Sequence, residues 1–423
     1  MHKDNLDIAV VGAGVAGITA AFLLQARHRV TLYEKNDYLG GHTHTVVIPE
    51  GPDAGTPVDT GFIVLNDRTY PLLNRLLDKL AVKISPSDMS FSYFSESSGF
   101  HYASHSFNGL FAQRRNLSNP AHLYMLLEIL RFNQAARRGL PRGSLANLTL
   151  GDFLQRLKMS RRFRTRYIVP MAAAIWSAPD ADIMHFPMET FARFFENHGL
   201  LSVRDQPQWY YVEGGSHTYV KAFRDRFRGT IHAGIAVRGI RRTASGVQVR
   251  LAGGMQQNHD LAIVAAHADE ALGLLEDPSS DEKRLLGAWD YSRNQVVLHV
   301  DTDWMPTNRR AWASWNYRRQ ASADGRAPVT LTYHMNRLQH LRTRKPYFVT
   351  LNPPRPIAAE ATVARFEYHH PTYTFASMAT QPELPRLNGA RRTYFCGSYW
   401  GYGFHEDAVH AAVEVAAALG GRL

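Results

Sequence analysis

The feature that most constrains the fold of this chain lies at its start. An apolar, β-branched run, Asp7 to Val11, ends in Gly12-Ala13-Gly14-Val15-Ala16-Gly17 and continues as ITAAFLLQA, the pattern of a helix. A second such run, Val30 to Glu34, follows at the distance a βαβ unit requires and ends on a carboxylate. Each glycine has a physical reason. Gly12 permits a tight turn, Gly14 lets the backbone approach a pyrophosphate, and Gly17 lets the helix pack closely on the strand. The helix N-terminus favours the anion, and Glu34 accepts hydrogen bonds from an adenosine ribose. Strand, glycine turn, helix, strand and acid in register predict an α/β chain that begins as a Rossmann-type dinucleotide-binding domain.

At 423 residues the chain is too long for one ordinary core, so two domains are expected. Apolar residues make up 45% and charged residues 20%, a globular balance that excludes disordered and collagen-like readings. Cys396 is the only cysteine, which removes an internal disulfide, CxxC zinc sites and a redox dithiol together, and predicts a buried structural thiol in a reducing compartment. No metal site is expected. No apolar run reaches the ~18 residues of a spanning helix, and Met1 to Leu6 lacks the apolar stretch of a signal peptide. The expected location is the cytoplasm, with peripheral attachment to the inner face of the plasma membrane.

The charge is unevenly placed. Lys and Arg number 48 against 37 Asp and Glu, a net +11, yet between Leu110 and Pro170 twelve basic side chains face only Glu128 and Asp152, a local +10. Such a segment is suited to an anionic lipid surface, an acidic protein or nucleic acid, or is a solvated helical face. A nucleic-acid role would need stacking aromatics interleaved with the basic run, and Tyr124, Phe132 and Phe153 are too few. No nucleic-acid partner is expected.

Helical periodicity dominates from about Thr69 to Arg204, including one long pattern from Thr149 to Trp176. Thr230 to Ile240, Val247 to Leu251 and Asp260 to Ala265 read as a β-meander, and Gln295 to Val300, Val329 to His334 and Phe348 to Leu351 as further strands. Near the end a strand, Thr393 to Cys396, runs through the glycine-aromatic loop Gly397-Ser398-Tyr399-Trp400-Gly401-Tyr402-Gly403-Phe404-His405-Glu406-Asp407 into a helix. This repeats the N-terminal architecture and offers a second helix N-terminus to an electron-rich group.

These residues resemble the flavin-containing amine oxidoreductases, which include phytoene desaturases and protoporphyrinogen oxidases. Beyond the first glycine turn and Glu34, the chain carries Gly40-Gly41 at the family's spacing, Val58-Asp59-Thr60-Gly61-Phe62, Gly214-Gly215 and the final loop. The resemblance implies a Rossmann-type FAD-binding domain, discontinuous over residues 1–68, 205–290 and 385–423. It implies an inserted α+β substrate domain over 69–204 and 291–384, with the basic helical region 110–170. It also implies non-covalent FAD held by Gly12, Gly14, Ala16, Gly17, Glu34, Lys35, Gly40, Gly41, His42, Thr43, Gly61, Phe62, Val237, Gly397, Ser398, Phe404, His405, Glu406 and Asp407. His42 stands where an arginine is usual and Ala408 where glycine is common. Only one dinucleotide fingerprint is present, so NAD(P) has no site.

Two residues are expected to bear on catalysis. Amine oxidases of the family carry a lysine in a strand of type NKVVL beside the flavin. Here the strand reads Asn294-Gln295-Val296-Val297-Leu298, with the neutral Gln295 in that place, which disfavours fast amine oxidation. His405, in the final loop, is a candidate base or hydrogen-bond donor to the flavin. The whole chain resembles a bacterial subgroup with GGHTHT, VDTGFIVLN, TYHMNRLQ and GYGFHED, whose members are associated with enzymes that methylate phospholipid acyl chains. That resemblance implies hydride removal from an apolar substrate, a methylated fatty-acyl chain of a phospholipid, with a lipid methyltransferase as partner. An amine oxidase, a flavin-dependent double-bond isomerase and a non-catalytic flavoprotein are the alternatives.

Overall fold

The computed structural model describes residues 5–176, 178–202, 206–319 and 329–423. Strand β1 (Asp7–Val11) turns at Gly12 into helix α1 (Val15–Leu24), which returns to strand β2 (Arg29–Tyr33). β1 lies in the middle of a five-stranded parallel sheet, ordered Thr230–His232, β2, β1, Leu261–Val264, Thr393–Phe395. Ile8 to Val10 and Ala262 to Val264 are fully buried, which explains why these strands read as continuous apolar runs rather than alternating ones.

Residues 107–197 form most of the helical insert. Its longest member is helix α2 (Pro120–Gly139), capped by Asn119, whose side chain accepts from the N–H groups of Ala121 and His122. Strands β3 (Tyr291–His299) and β4 (Thr362–Pro371) pair antiparallel at one edge of a seven-stranded sheet. The sheet continues through Phe348–Leu351, Thr330–His334, Trp315–Arg319, Phe91–Ser95 and His101–Ala103. Helix α3 (His405–Ala418) follows the last parallel strand and packs on α1, joining their apolar faces into one core beneath the parallel sheet. The parallel sheet thus draws its strands from 7–33, 230–264 and 393–395, and the larger sheet from 91–103 and 291–371.

Two expected elements differ. Thr230 to Ile240 is not one strand: Gly234, at φ +73°, ends the parallel strand, and Val237–Arg242 opens a separate antiparallel sheet with Val247–Leu251 and Gln256–His259. Leu261–Val264 then leaves that meander to pair parallel with β1. The long helical pattern from Thr149 to Trp176 also breaks. A capping box between Thr149 and Asp152 starts the helix Leu150–Arg156, Lys158 adopts φ +51°, and the chain restarts at Arg161 with Ser160 as cap. Val169–Trp176 completes that second helical run.

The contact between β1 and α1 leaves no room for a side chain at Gly17, where a Cβ would lie 1.9 Å from the Gly12 carbonyl oxygen. Gly17→Ala should therefore lose about 1–3 kcal/mol of stability or more, because backbone must move on both sides of the turn. A urea unfolding midpoint equal to that of the unmodified protein would contradict this packing.

Candidate cofactor and active site

Three backbone segments meet at the turn after β1. Gly12 sits at φ +99°, and a Cβ there would lie 2.6 Å from the carbonyl oxygen of Ala265. Gly40 and Gly41, at φ +121° and +59°, fold back so closely that a Cβ on Gly41 would be 3.3 Å from the Gly14 Cα. The Gly40 N–H donates to the Ala13 carbonyl at 2.8 Å. Gly14 itself faces open space, with nothing within 4 Å of an added Cβ. It caps α1 with no side chain, so the Val15, Ala16 and Gly17 N–H groups of the first turn have no intrahelical partner. The result is a glycine-walled cradle at a helix N-terminus, suited to a phosphate diester.

Glu34, buried at the end of β2, accepts the N–H groups of Ala13 at 2.8 Å and Asn36 at 2.9 Å. Each carboxylate oxygen keeps a further lone pair for a ribose hydroxyl. On the other side of the cradle, the His42 carbonyl accepts from Phe62 N–H at 2.7 Å, and Gly61 lies against the same carbonyl. The Phe62 ring stacks on the His405 imidazole, centroids 3.8 Å apart. His405 Nε2 is 2.9 Å from Thr43 Oγ1, and Thr43 also bonds the Tyr219 hydroxyl. Burial holds His405 down to about 3, so at neutral pH it is an uncharged imidazole and a weak base. Its packing suits a hydrogen-bonding role better than proton abstraction.

The final loop is shaped from within. Gly401 and Gly403 N–H groups both donate to the Ser398 carbonyl, and Asp407 Oδ2 accepts from Phe404 N–H at 2.9 Å to cap α3. Burial lifts the Asp407 carboxyl to about 7. The Gly397 N-terminal to this turn lies against the Tyr399 ring.

Next to the cradle is a group of imidazoles that sequence reasoning largely missed. The His42 ring stands 5.1 Å from Tyr368, 5.4 Å from His370 and 6.0 Å from His267. Burial, reinforced by these neighbouring imidazoles, pushes His42 well below the usual histidine range and His370 to about 4. His267 stacks on Tyr291, and His370 Nδ1 meets Asn294 Nδ2 at 3.0 Å. His42 Nε2, His267 Nδ1, Trp400 Nε1 and the Tyr373 hydroxyl are buried without a hydrogen-bond partner. Orphaned groups of this kind cost about 1–3 kcal/mol each unless a ligand satisfies them. Phosphate, ribityl and ring oxygens of FAD are acceptors of the right chemistry, so the residues present fit that cofactor.

A second missed residue, Asp59, is fully buried. Its carboxylate accepts from Ser216 N–H and Oγ at 2.8 Å each and from Gln339 Nε2 at 3.0 Å. Burial nevertheless raises it to about 7. It ties the segment before Gly61 to the Gly214-Gly215 turn and to Gln339, a link between distant parts of the chain that local sequence does not reveal.

Gly12, Gly14, Ala16, Gly17, Glu34, Gly40, Gly41, His42, Thr43, Gly61, Phe62 and His405 line or build the cradle. Three expectations need correction. Lys35 points outward and pairs with Glu270 at 2.5 Å. Glu406 accepts the N–H groups of Leu72 and Leu73, both at 2.9 Å, and so caps the helix Pro71–Lys79 rather than facing a ligand. Gln295 is exposed on β3, whereas the buried neighbour Asn294 faces the histidines. Val237, almost buried, opens its strand after the turn through His232 and Ile235 that brackets Glu34. Phe404 stacks on Phe194 at 4.9 Å, and Ser398 acts through its carbonyl. Among the described residues no three His, Cys, Asp or Glu side chains are placed to hold a metal ion, and Cys396 is buried.

Comparison with known proteins agrees with this geometry. A family model described as flavin containing amine oxidoreductase matches residues 15–333. An L-amino-acid oxidase from Siganus canaliculatus is 25% identical over 69% of this chain, which spans only 56% of that relative's length. The structure of cyclohexylamine oxidase from Brevibacterium oxydans IH-35A superposes with a TM-score of 0.70 at 16% identity, covering 98% of each chain. A fatty acid isomerase from P. acnes, described as CLA-producing, superposes at 0.65 with 14% identity over 99% of each chain.

The neutral imidazoles set a pH dependence. In the unfolded chain a histidine titrates near 6.5, whereas His198, His299, His334 and His370 are lowered by burial to about 4 and His405 to about 3. Between those values the unfolded state binds more protons, so stability rises with pH across roughly 4 to 6.5. Asp59 and Asp407, raised to about 7, oppose this over the same window, but they are fewer. The urea midpoint should be lower at about pH 5 than at about pH 7. A higher midpoint at the acid value would refute the neutral assignment.

Proposed function

We propose, for a chain that belongs to the flavin-containing amine oxidoreductases, the removal of hydride from an uncharged apolar substrate, best matched by a methylated fatty-acyl chain of a phospholipid. FAD, when bound, would supply the hydride acceptor, and the proton lost from the neighbouring carbon would pass to solvent. The chain's own residues hold the cofactor through the glycine cradle and Glu34, keep the imidazoles beside it uncharged, and wall the site with aromatic surface.

The observation that carries this reading is the aromatic block continuous with the final loop. Phe194 stacks on Phe404 and meets Tyr402 at 5.9 Å, while Trp176 packs against Phe186, Phe191, Phe194 and Phe195. Phe186 reaches Tyr373, and Trp176, Phe186 and Tyr373 line a small pocket with Pro371, the neighbour of His370, and with the exposed Asp182. An ammonium substrate would need a carboxylate or an aromatic cage held open for it. Here the block is closely packed, the nearby imidazoles are neutral, Asp182 beside the pocket is exposed to solvent, and Asp407 on the final loop is raised by burial and occupied in capping α3. The fold that this chain shares with a fatty acid isomerase is shared with cyclohexylamine oxidase too, so it is compatible with an acyl substrate without selecting one. No helix among the described residues is long and apolar enough to cross a membrane.

The test is anaerobic mixing of the purified flavoprotein with phospholipid bearing methyl-branched acyl chains and, separately, with polyamines and aromatic amines. Bleaching of the flavin by the lipid, with loss of a hydrogen pair from the acyl chain by mass spectrometry, is the expected result. Bleaching by a simple amine and not by lipid would overturn it. Lipid whose double bond moves without change of mass would assign the isomerase instead. NADH and NADPH should not bleach the flavin rapidly, because the sequence carries a single GxGxxG fingerprint, the one that joins β1 to α1.

A further inference from the structure

Nine large apolar side chains are exposed among the described residues, and six of them fall within residues 107–130: Phe107 at 67%, Leu117 at 46%, Leu123 at 40%, Tyr124 at 49%, Leu127 at 63% and Leu130 at 51%. Four belong to α2. That helix already buries an inner face of Met125, Glu128, Phe132, Asn133 and Ala136, so the exposed leucines are not a misplaced core stripe. Leu123, Leu127 and Leu130 recur at helical spacing on the opposite side, and the same outer side continues through Arg131, Gln134, Arg137 and Arg138. One helix therefore presents an outer face that is apolar in its first half and basic in its second.

The surrounding charge is not neutralised locally. Of the two acids in the segment that carries +10, Glu128 turns inward and accepts from Ser160 N–H at 2.6 Å, and Asp152 serves the capping box of the next helix. Arg137 pairs with Glu196 at 3.2 Å, but Arg131, Arg138 and Arg142 form no ion pair among the described residues. At the basic end, Leu130, Asn133, Arg138 and Leu201 border a groove of about 400 Å³.

We propose that the outer face of α2, with Phe107 and Leu117 beside it in sequence, docks the protein on an anionic phospholipid bilayer. The leucines and Tyr124 enter the interfacial region while Arg131, Arg138 and Arg142 stay at headgroup depth, where their aliphatic stems cover apolar surface and their guanidinium groups meet phosphate. The groove beside Arg138 is of a size and charge to take one headgroup. A second copy of this chain is a poor occupant, because a two-fold contact through α2 would bring unpaired arginines of both copies together. The proposal stands on exposure and charge and does not depend on which substrate the site oxidises.

Flotation with vesicles tests it, using phosphatidylcholine alone and phosphatidylcholine mixed with phosphatidylglycerol. The unmodified holoprotein should float with the mixed vesicles, bind phosphatidylcholine far more weakly, and be released by salt. Arg131→Glu with Arg138→Glu should lower partitioning by about fivefold or more per arginine, since each basic residue near such a surface contributes about that factor. Leu127→Ser with Leu130→Ser should lower it by about tenfold or more. All four positions are exposed, so circular dichroism and flavin content should be unchanged. A Leu127→Trp variant should show blue-shifted emission on the mixed vesicles only. Equal binding of the variants, equal binding to both vesicle types, or no binding at all would each overturn the proposal. So would a concentration-dependent dimer that Leu127→Ser dissolves while vesicles are ignored.

Discussion

Everything around the candidate site depends on how closely backbone approaches backbone at the turn after β1. Gly12 and Gly17 touch carbonyl groups at distances no Cβ could tolerate, and Gly41 comes against Gly14 from the second segment. These contacts fix the direction of α1, aim its unpaired N–H groups into one cradle, and bring Glu34 to the N–H of Ala13. Gly14 is different in kind: nothing in the protein excludes a side chain there, so its lack of one serves a ligand rather than the fold.

Beside that cradle the protein suppresses charge on its imidazoles and on two buried carboxyls. His42, His370 and His405 are held neutral by burial, while Asp59 and Asp407 are driven towards their protonated forms and spend their oxygens on backbone N–H groups. Neutral imidazoles and an aromatic block suit an uncharged substrate. The unneutralised charge lies instead on the outer side of the helical insert, where α2 combines exposed leucines with free arginines.

The parts of this arrangement that were legible from sequence are those whose reason is local. The glycine turn, Glu34 and the Gly40-Gly41 pair each follow from steric needs within a few residues, and buried parallel strands announce themselves as apolar runs. What escaped was set by partners far along the chain. Glu406 looked like a cofactor ligand because its true partners, the N–H groups of Leu72 and Leu73, lie in another helix. The strand motif aligns Gln295 with the flavin, but successive side chains of a strand point to opposite faces, so a shift of one residue exchanges it for Asn294. The pairing of Asn294 with His370 exists only through the register between β3 and β4. Gly234 ended a strand where the β-branched pattern ran on, because a positive φ outweighs propensity.

The central claim is that the cradle at Gly14 is where the cofactor binds. Gly14→Val separates this from general loss of structure, since nothing in the protein lies within 4 Å of a Cβ at that position while a phosphate diester at the N-terminus of α1 would collide with the side chain. The measurement is the molar ratio of FAD to protein released by acid from the purified unmodified chain and from the variant, with unfolding midpoints taken alongside. Flavin near one per chain is expected in the first, flavin largely lost in the second, and similar midpoints for the two apoproteins. Full flavin retained in Gly14→Val would contradict it.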